Sequence, residues 1–310
     1  MCKVLSVIVP CYFEQECVPK FYEAMQAVAP QLKGIELEYW FVNDGSTDGT
    51  LFQMQKLQEQ DPAHVHYVSF SRNFGKEAAM YCGLQRATGD YVTVMDADLQ
   101  DPPDLLPKMF EYIDQGYDCV GTRRSDRSGE PPLRSFLSRQ FYKLINKISE
   151  TEIVDGARDF RLMTRRMVDA VLQMSERNRF SKGLFSWVGF KTMYIPYHNR
   201  ERVAGTSSWN LRSLVQYSFE GIINFSTAPL DMAFTVGLVL SLLAFLGIIF
   251  LIVRWIVLGP VAHTGHTALG MLILFAGGLN LEFTGVVGKY VGKVMGEVKQ
   301  RPVYIVDQER

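Results

Sequence analysis

Two carboxylates one residue apart, Asp96 and Asp98, follow an apolar, β-branched run at residues 91–95. Side chains at positions i and i+2 of an extended chain lie on the same side, so these carboxylates converge. Carboxylates this close repel each other unless a hard divalent cation neutralises them, and such a cation keeps open positions for substrate phosphates. The pattern therefore predicts a metal site for a phosphorylated substrate, although Asp-x-Asp also occurs in ordinary turns.

The segments that would position these carboxylates alternate between apolar runs and amphipathic stretches over residues 1–125. Such alternation is typical of a parallel sheet with helices on both faces, which binds ligands at the carboxyl ends of its strands. Glu14, Asp44 and Asp96 end three of the runs, so we expect them on one rim. The predicted strands are Leu5–Val9, Leu37–Val42, His66–Phe70, Tyr91–Met95 and Cys119–Gly121, and the predicted helices are Val18–Val28, Thr50–Gln58, Lys76–Arg86 and Pro103–Tyr112.

The composition of the 310 residues argues against several classes of protein. The net charge is −1, which gives no overall basic field, so we expect no nucleic-acid partner. No Gly-x-Gly-x-x-Gly follows the first predicted strand, which disfavours a dinucleotide-binding oxidoreductase. The five cysteines lack metal-type spacing and are expected to be reduced thiols.

Two apolar segments near the C-terminus predict a transmembrane helical hairpin at residues 231–288. Ala233–Val253 carries no charge and is long enough to span a bilayer, whereas Thr267–Gly288 contains Glu282 and is the weaker candidate. The connector Leu258–His266 has no Lys or Arg, while several basic residues follow residue 288. By the positive-inside rule, we expect both termini and the tail at 289–310 to be cytoplasmic.

Two further amphipathic segments allow two interpretations. Residues 131–149 place apolar side chains at i, i+3 and i+4 and basic side chains on the remaining faces. This pattern fits an ordinary surface helix, and it equally fits a helix in the headgroup plane that meets anionic lipid. Residues 209–226 have a similar apolar stripe and lead directly towards the first apolar segment.

A set of motifs resembles the family 2 glycosyltransferases, in particular the polyprenyl-phosphate sugar synthases such as dolichol-phosphate mannose synthase and the bactoprenol glucosyltransferases. The resemblance covers nearly the whole chain in order. It implies an α/β fold, with a cytoplasmic GT-A (Rossmann-like) nucleotide-sugar domain at residues 1–230 that precedes the hairpin. The motifs are PCYFE at 10–14, VNDGSTDG at 42–49, SRNFGKE at 71–77, DADLQDPP at 96–103 and GARDFRL at 156–162.

The resemblance also implies which residues bind the nucleotide-sugar donor. The first-strand loop and Asp44 would hold the nucleoside, and the Asp96 motif would bind Mg²⁺ or Mn²⁺ and through it the donor pyrophosphate. Such a cation neutralises charge that develops on the leaving nucleoside diphosphate. The implied donor-binding residues are Pro10, Tyr12, Glu14, Asp44, Lys76, Asp96, Ala97, Asp98 and Arg123, and the implied metal ligands are Asp96, Asp98 and Gln100.

For the acceptor, the resemblance implies catalytic roles for Asp159 and Arg202 beside Asp96. Arg161, Arg202 and Ser207 would contact the acceptor phosphate, because a guanidinium binds such groups in a bidentate manner. Asp159 would be the general base for an alcohol acceptor. A lipid phosphate is already ionised near neutral pH, with a second pKa of about 6, so Asp159 could instead orient the acceptor. A structural Asp159 paired with Arg158 or Arg161 is the alternative.

One departure from the family pattern concerns the first-strand loop. Phe13 stands where the family usually has Asn, so the contact of this loop with the donor is expected to differ. A second departure is Ser208, which replaces a common Lys.

The predicted function is that of an inverting glycosyltransferase of the inner (plasma) membrane with two membrane helices. It would move a sugar, with glucose from UDP-glucose as the leading candidate, to undecaprenyl or another polyprenyl phosphate at the cytoplasmic leaflet. N-acetylhexosamine, mannose and amino-arabinose are the alternative sugars, and a homotetramer is compatible with the resemblance. A processive polysaccharide synthase would need a Gln-x-x-Arg-Trp signature that the chain lacks. A non-catalytic membrane scaffold is the alternative from another class.

Overall fold

The computed structural model describes residues 2–124, 146, 154, 156–197, 226, 228–258 and 265–310. The chain divides into two compact units. The first unit comprises Met1–Gly221 and Arg301–Arg310, and the second comprises Ile222–Gln300. The predicted amphipathic segments at 131–149 and 209–226 fall outside the described ranges, apart from residues 146 and 226.

Within its described residues, the first unit is built on one eight-stranded sheet with the strand order β7-β5-β6-β4-β1-β2-β3-β8. The strands are β1 (Lys3–Cys11), β2 (Ile35–Asn43), β3 (Val65–Phe70), β4 (Tyr91–Val94), β5 (Cys119–Arg124), β6 (Ala157–Thr164), β7 (Thr192–Tyr197) and β8 (Val306–Glu309). The helices of this unit are α1 (Cys17–Val28), α2 (Thr50–Gln60), α3 (Lys76–Arg86), α4 (Leu106–Asp114), α5 (Arg165–Gln173) and α6 (Ser181–Trp187).

The α/β prediction is confirmed, and so are the five strands and four helices expected over residues 1–125. The parallel sheet expected over residues 1–125 is confirmed, and strands from beyond residue 125 make the complete sheet mixed. Strands β1 to β4 pair in parallel, but β6 lies antiparallel between β4 and β5, and β8 lies antiparallel to β3. The sheet is therefore mixed, because β6 and β8 join it antiparallel, whereas β7 pairs in parallel with β5.

Helices cover both faces of the central strands, which explains why these strands read as nearly continuous apolar runs. On one face Val7 and Val9 join a buried cluster with Phe21 of α1 and Met54 of α2. On the other face Ile8 packs in a second cluster with α3 and α5. Helix α3 lies especially close to the sheet, because a β-carbon on Gly83 would stand 2.2 Å from Ile8 Cγ2.

The last ten residues return to the first unit and complete its sheet. Strand β8 pairs with the edge strand β3, and Glu309 forms an ion pair with Arg86 of α3. The ring of Tyr304 stacks on Phe70, with 4.8 Å between centroids and 15° between planes. The structure thus divides the predicted tail at Arg301, and its last part covers an otherwise unpaired strand edge.

The second unit contains two long helices that contact each other, α7 (Ala228–Leu258) and α8 (Gly265–Val298). The segment Ala228–Gly247 is long and apolar enough to cross a membrane, with a mean hydropathy of 2.0. Among the described residues, this is the one span that meets such criteria of length and composition. The structure thus has two long helices in this region but one candidate span among its described residues, so the transmembrane hairpin stays a prediction.

Candidate active site

The loops that follow β1, β2, β3 and β4 carry most of the predicted site residues. Glu14, Asp44 and Asp96 follow the carboxyl ends of β1, β2 and β4, which are neighbours in the sheet. Pro10 is half-buried at the end of β1, and Ala97 is buried in the core beneath the rim. The first four strands therefore deliver these residues to the same edge.

Asp44 fixes the loop that precedes α3. Its Oδ1 accepts a hydrogen bond from the Phe74 amide at 2.6 Å, and its Oδ2 accepts one from the Gly75 amide at 2.9 Å. Burial raises the pKa of this carboxyl, and the two amide bonds oppose that shift. Gly75 has a φ of +99°, which glycine adopts without strain, and it places Lys76 at the first position of α3.

Lys76 joins two carboxylates at the centre of the site. Its Nζ lies 2.6 Å from Asp96 Oδ1 and 2.6 Å from Asp159 Oδ2. Burial acts to lower the pKa of Lys76, but the two carboxylates raise it overall. Burial likewise acts to raise the pKa of Asp159, but Lys76 and then Lys182 hold it well below its usual value. Asp159 is thus an ionised carboxylate beside Asp96, and its partner is Lys76 rather than Arg158 or Arg161.

The Asp96 motif is held in a tight turn. Asp98 is buried, and its Oδ1 accepts a hydrogen bond from the Gln100 amide at 3.1 Å. Leu99 between them has a φ of +56°, a left-handed conformation that a branched side chain rarely adopts. Backbone strain of this kind concentrates at functional sites, where surrounding contacts enforce it.

The oxygen ligands offered by this turn fit a hard divalent cation. Mg²⁺ is usually held by one or two carboxylates and completes its shell with substrate phosphates and water. Asp96 and Asp98 supply two carboxylates, and the Gln100 side chain supplies an amide oxygen. Among the described residues there is no cluster of three or more His, Cys, Asp or Glu side chains that could hold a metal ion by itself. The turn therefore suits a metal ion whose remaining ligands come from a substrate.

A buried hydrogen-bond network that the sequence analysis did not identify stabilises this turn. Asp101 is 1% exposed and accepts hydrogen bonds from the Tyr197 hydroxyl and, at 3.2 Å, from Arg158 Nε. Arg158 Nη2 also donates to Gln100 Oε1 at 3.3 Å. Burial raises the pKa of Asp101, and the charge of Arg158 opposes that shift. Arg158 thus links the turn to β6, the strand that carries Asp159.

Glu77 is a second residue that the sequence analysis missed. It follows Lys76, and its Oε2 accepts hydrogen bonds from the Ser181 amide at 3.0 Å and from the Ser181 hydroxyl. Removal from water raises its pKa to about 7. These bonds tie the start of α6 to the start of α3. Lys182, the next residue, thereby comes close enough to Asp159 to lower its pKa.

The predicted arginines lie in different environments. Arg161 is 1% exposed, its guanidinium lies 3.9 Å from the Phe185 ring centroid, and it donates to the Arg158 carbonyl at 3.1 Å. Its contact with an acceptor phosphate stays a prediction that this enclosure does not favour. Arg123 is exposed at the end of β5. Arg202 and Ser207 lie outside the described residues.

The family model described as glycosyl transferase family 2 matches residues 6–172, more than half of the chain. The chain belongs to glycosyl transferase family 2. Apart from Arg202 and Ser207, all the predicted site residues fall inside the matched range.

Relatives within glycosyl transferase family 2 match over nearly their full length. The prophage bactoprenol glucosyl transferase homolog of Escherichia coli (strain K12) is 42% identical over 302 residues, which cover 97% of this chain and 98% of the relative. The bactoprenol glucosyl transferase of Shigella phage SfV is 42% identical over 306 residues, 99% of each chain. The putative glycosyltransferase CsbB of Bacillus subtilis (strain 168) is 40% identical over 307 residues, 98% of this chain and 92% of the relative.

The first loop of this family 2 glycosyltransferase carries a strained residue at its tip. Phe13 has a φ of +58°, and its amide donates to Ser46 Oγ at 3.1 Å. Its ring is 47% exposed and contacts the exposed Tyr12 ring, with 4.4 Å between centroids. Asn adopts the left-handed conformation far more readily than Phe. The loop of this chain therefore holds a left-handed backbone at a residue type that adopts it at a cost.

We expect Phe13→Asn to stabilise the protein by about 1 kcal/mol, because the left-handed conformation costs an ordinary residue about 1–2 kcal/mol. Little burial is lost, since the ring is nearly half exposed. The measurement is the thermal melting of the solubilised full chain. Phe13→Ala is the matched control, since it removes the ring but keeps a β-carbon in the left-handed region, and it should give no gain. A lower melting temperature for Phe13→Asn than for Phe13→Ala would contradict the prediction.

Proposed function

We propose that the chain transfers a hexose from a nucleotide donor to a polyprenyl phosphate, with UDP-glucose and undecaprenyl phosphate as the leading pair. The observation that carries the proposal is that the Lys76 ammonium contacts both Asp96 and Asp159. The predicted donor motif and the predicted acceptor motif therefore lie next to each other. The names of the relatives, bactoprenol glucosyl transferases at 42% identity, support the substrate pair.

On the donor side, the chain supplies a rigid rim. Asp44 positions the loop at residues 71–75, and the turn at 96–100 presents oxygen ligands. Mg²⁺ or Mn²⁺ held by Asp96, Asp98 and Gln100 would supply charge neutralisation for the leaving nucleoside diphosphate. Tyr12 is 42% exposed beside this rim and offers an aromatic face for the base of the donor.

On the acceptor side, Asp159 is held ionised and in place. A polyprenyl phosphate near neutral pH already carries the charge of a nucleophile, since the second pKa of such a group is about 6. The acceptor therefore does not need Asp159 as a base, and Asp159 acts mainly by orienting the groups around the acceptor. A single displacement on the sugar, with the nucleophile opposite the leaving group, would invert the anomeric configuration.

The proposed membrane topology follows from the course of the chain. Residues 301–310 join the same sheet as β1 to β7, although α7 and α8 lie between them in sequence. A chain that leaves and re-enters one folded unit crosses a bilayer an even number of times. If α7 crosses, α8 must supply the return, as a two-helix hairpin does. The basic residues after 288 then favour a cytoplasmic catalytic unit.

Attachment to the membrane suits the two substrates. The donor is soluble and the acceptor is confined to the bilayer, so an anchored catalytic unit loses less entropy at the reactive encounter. The exposed apolar side chains of α7, which include Leu238, Leu242 and Phe245, are consistent with a lipid environment.

The proposal is tested with the purified full chain, undecaprenyl phosphate and a panel of radiolabelled nucleotide sugars, scored by lipid extraction. The panel contains UDP-glucose, UDP-N-acetylglucosamine, GDP-mannose and UDP-amino-arabinose, each with Mg²⁺, Mn²⁺ or EDTA. We expect label in the lipid phase with UDP-glucose and a divalent cation, and loss of that label in Asp96→Ala. Transfer of another sugar would replace glucose in the proposal, and absence of transfer from every donor would reject the proposal.

A further inference from the structure

The contacts of Lys76 lead to an inference that rests on the proposed function and extends it. We propose that Lys76 is an internal cation that competes with the divalent metal for the carboxylate of Asp96, so that metal and nucleotide bind cooperatively. The ammonium lies 2.6 Å from Asp96 Oδ1, a distance typical of a strong charge-assisted bond. A metal on the same carboxylate would face this positive charge at short range.

The position of Lys76 is fixed from both sides. The preceding residue, Gly75, is held by Asp44, and the following residue, Glu77, is held by Ser181. The backbone therefore cannot carry the ammonium away, and only the side chain can change its partner. The side chain is 34% exposed, so its rotamers are not locked by packing.

Asp159 provides a second partner that remains when Asp96 binds a metal. Lys76 Nζ lies 2.6 Å from Asp159 Oδ2, so the ammonium can stay with Asp159 while Asp96 turns to the cation. The pyrophosphate of a nucleotide offers further acceptors for the same ammonium. A nucleotide would therefore relieve the repulsion between Lys76 and the metal, which makes each ligand strengthen the binding of the other.

The size of the effect follows from the charges. A unit charge within about 4–6 Å shifts an ionic equilibrium at a carboxylate by about 1–3 pK units. Removal of the Lys76 charge should therefore raise the affinity of the chain for Mn²⁺ alone by about tenfold or more. The same change should lower sugar transfer, because Asp159 loses its partner and the pyrophosphate loses a cation. Tighter metal binding together with slower transfer is a combination that a merely structural lysine would not give.

The test compares Mn²⁺ binding to the full-length protein and to Lys76→Met, measured by electron paramagnetic resonance of free Mn²⁺ with and without UDP. We expect Lys76→Met to bind Mn²⁺ about tenfold more tightly without UDP and to gain less from UDP than the unchanged chain. Lys76→Arg, which keeps the charge, should retain the strong dependence on UDP. Lys33→Met is the matched control, since Lys33 is exposed just before β2 at the opposite end of the sheet.

A second variant covers the case in which Lys76→Met does not fold. Lys76→Met combined with Asp159→Asn removes the ammonium and one of its carboxylates together, so no uncompensated pair of charges remains. It should also bind Mn²⁺ more tightly than the unchanged chain. Affinities for Mn²⁺ that do not rise in either variant, or absence of Mn²⁺ binding throughout, would overturn the inference. Failure of sugar transfer with the expected Mn²⁺ affinities would instead reject the proposed function alone.

Discussion

Asp159→Asn is expected to lower sugar transfer to undecaprenyl phosphate by at least about 100-fold while the protein stays folded, which is the usual range for a positioned catalytic carboxylate. The substitution keeps the shape of the side chain but removes the charge that faces Lys76 at 2.6 Å. Both possible roles of Asp159 depend on that charge, because a neutral amide is not a base near neutral pH and holds the ammonium only by an uncharged hydrogen bond. The measurement is initial-rate transfer of radiolabelled glucose, together with thermal melting.

The kinetic pattern separates the two roles of Asp159. An orienting carboxylate should affect the KM for the lipid phosphate and kcat together, whereas the KM for UDP-glucose should change little. A general base should affect kcat alone and leave both KM values unchanged. Asp169→Asn is the matched control, since Asp169 is 58% exposed on α5 and pairs with Arg165 only at 3.8 Å. A full rate in Asp159→Asn would remove Asp159 from the mechanism.

The central strands could be predicted because their apolar runs are nearly unbroken. Residues 5–9 and 91–94 are buried on both faces of the sheet. No position in these segments faces the solvent, so nearly all of them are apolar. Strand β6 could not be predicted in the same way. It carries Arg158, Asp159 and Arg161 within four residues, and the charges of Arg158 and Asp159 are compensated by residues distant in sequence. Periodicity alone does not show such compensation.

Charge compensation between residues distant in sequence also limits what could be predicted about the site. The pattern Asp-x-Asp after a strand was sufficient to predict which edge of the sheet carries the site, because ligands bind at the carboxyl ends of parallel strands. The partner of Lys76 was not predictable, because Asp159 is 83 residues away along the chain. Strand β8 has the sequence VDQE and little strand character of its own, so its pairing depends on the exposed edge of β3. Sequence therefore predicted the frame of the site better than its charge network.

Arg158→Ala is expected to destabilise the first unit by about 3 kcal/mol, because removal of one partner leaves a buried charge without compensation. Asp101 is 1% exposed and has Arg158 as its ion-pair partner at 3.2 Å, so among the described residues its carboxylate would keep only the Tyr197 hydroxyl. In a unit of this size, 1 kcal/mol shifts the melting temperature by about 2–4 °C, so we expect a decrease of about 6–12 °C.

Arg166→Ala is the matched control for this prediction. Arg166 also pairs with an aspartate, Asp118, and at a shorter distance of 2.7 Å, but its side chain is 71% exposed. An exposed pair contributes about 0–1 kcal/mol, so the shorter bond should matter less than the buried one. Asp101→Asn in the Arg158→Ala background should recover part of the loss, because it removes the charge that lacks compensation. Equal melting temperatures for Arg158→Ala and Arg166→Ala would show that burial does not determine the strength of this network.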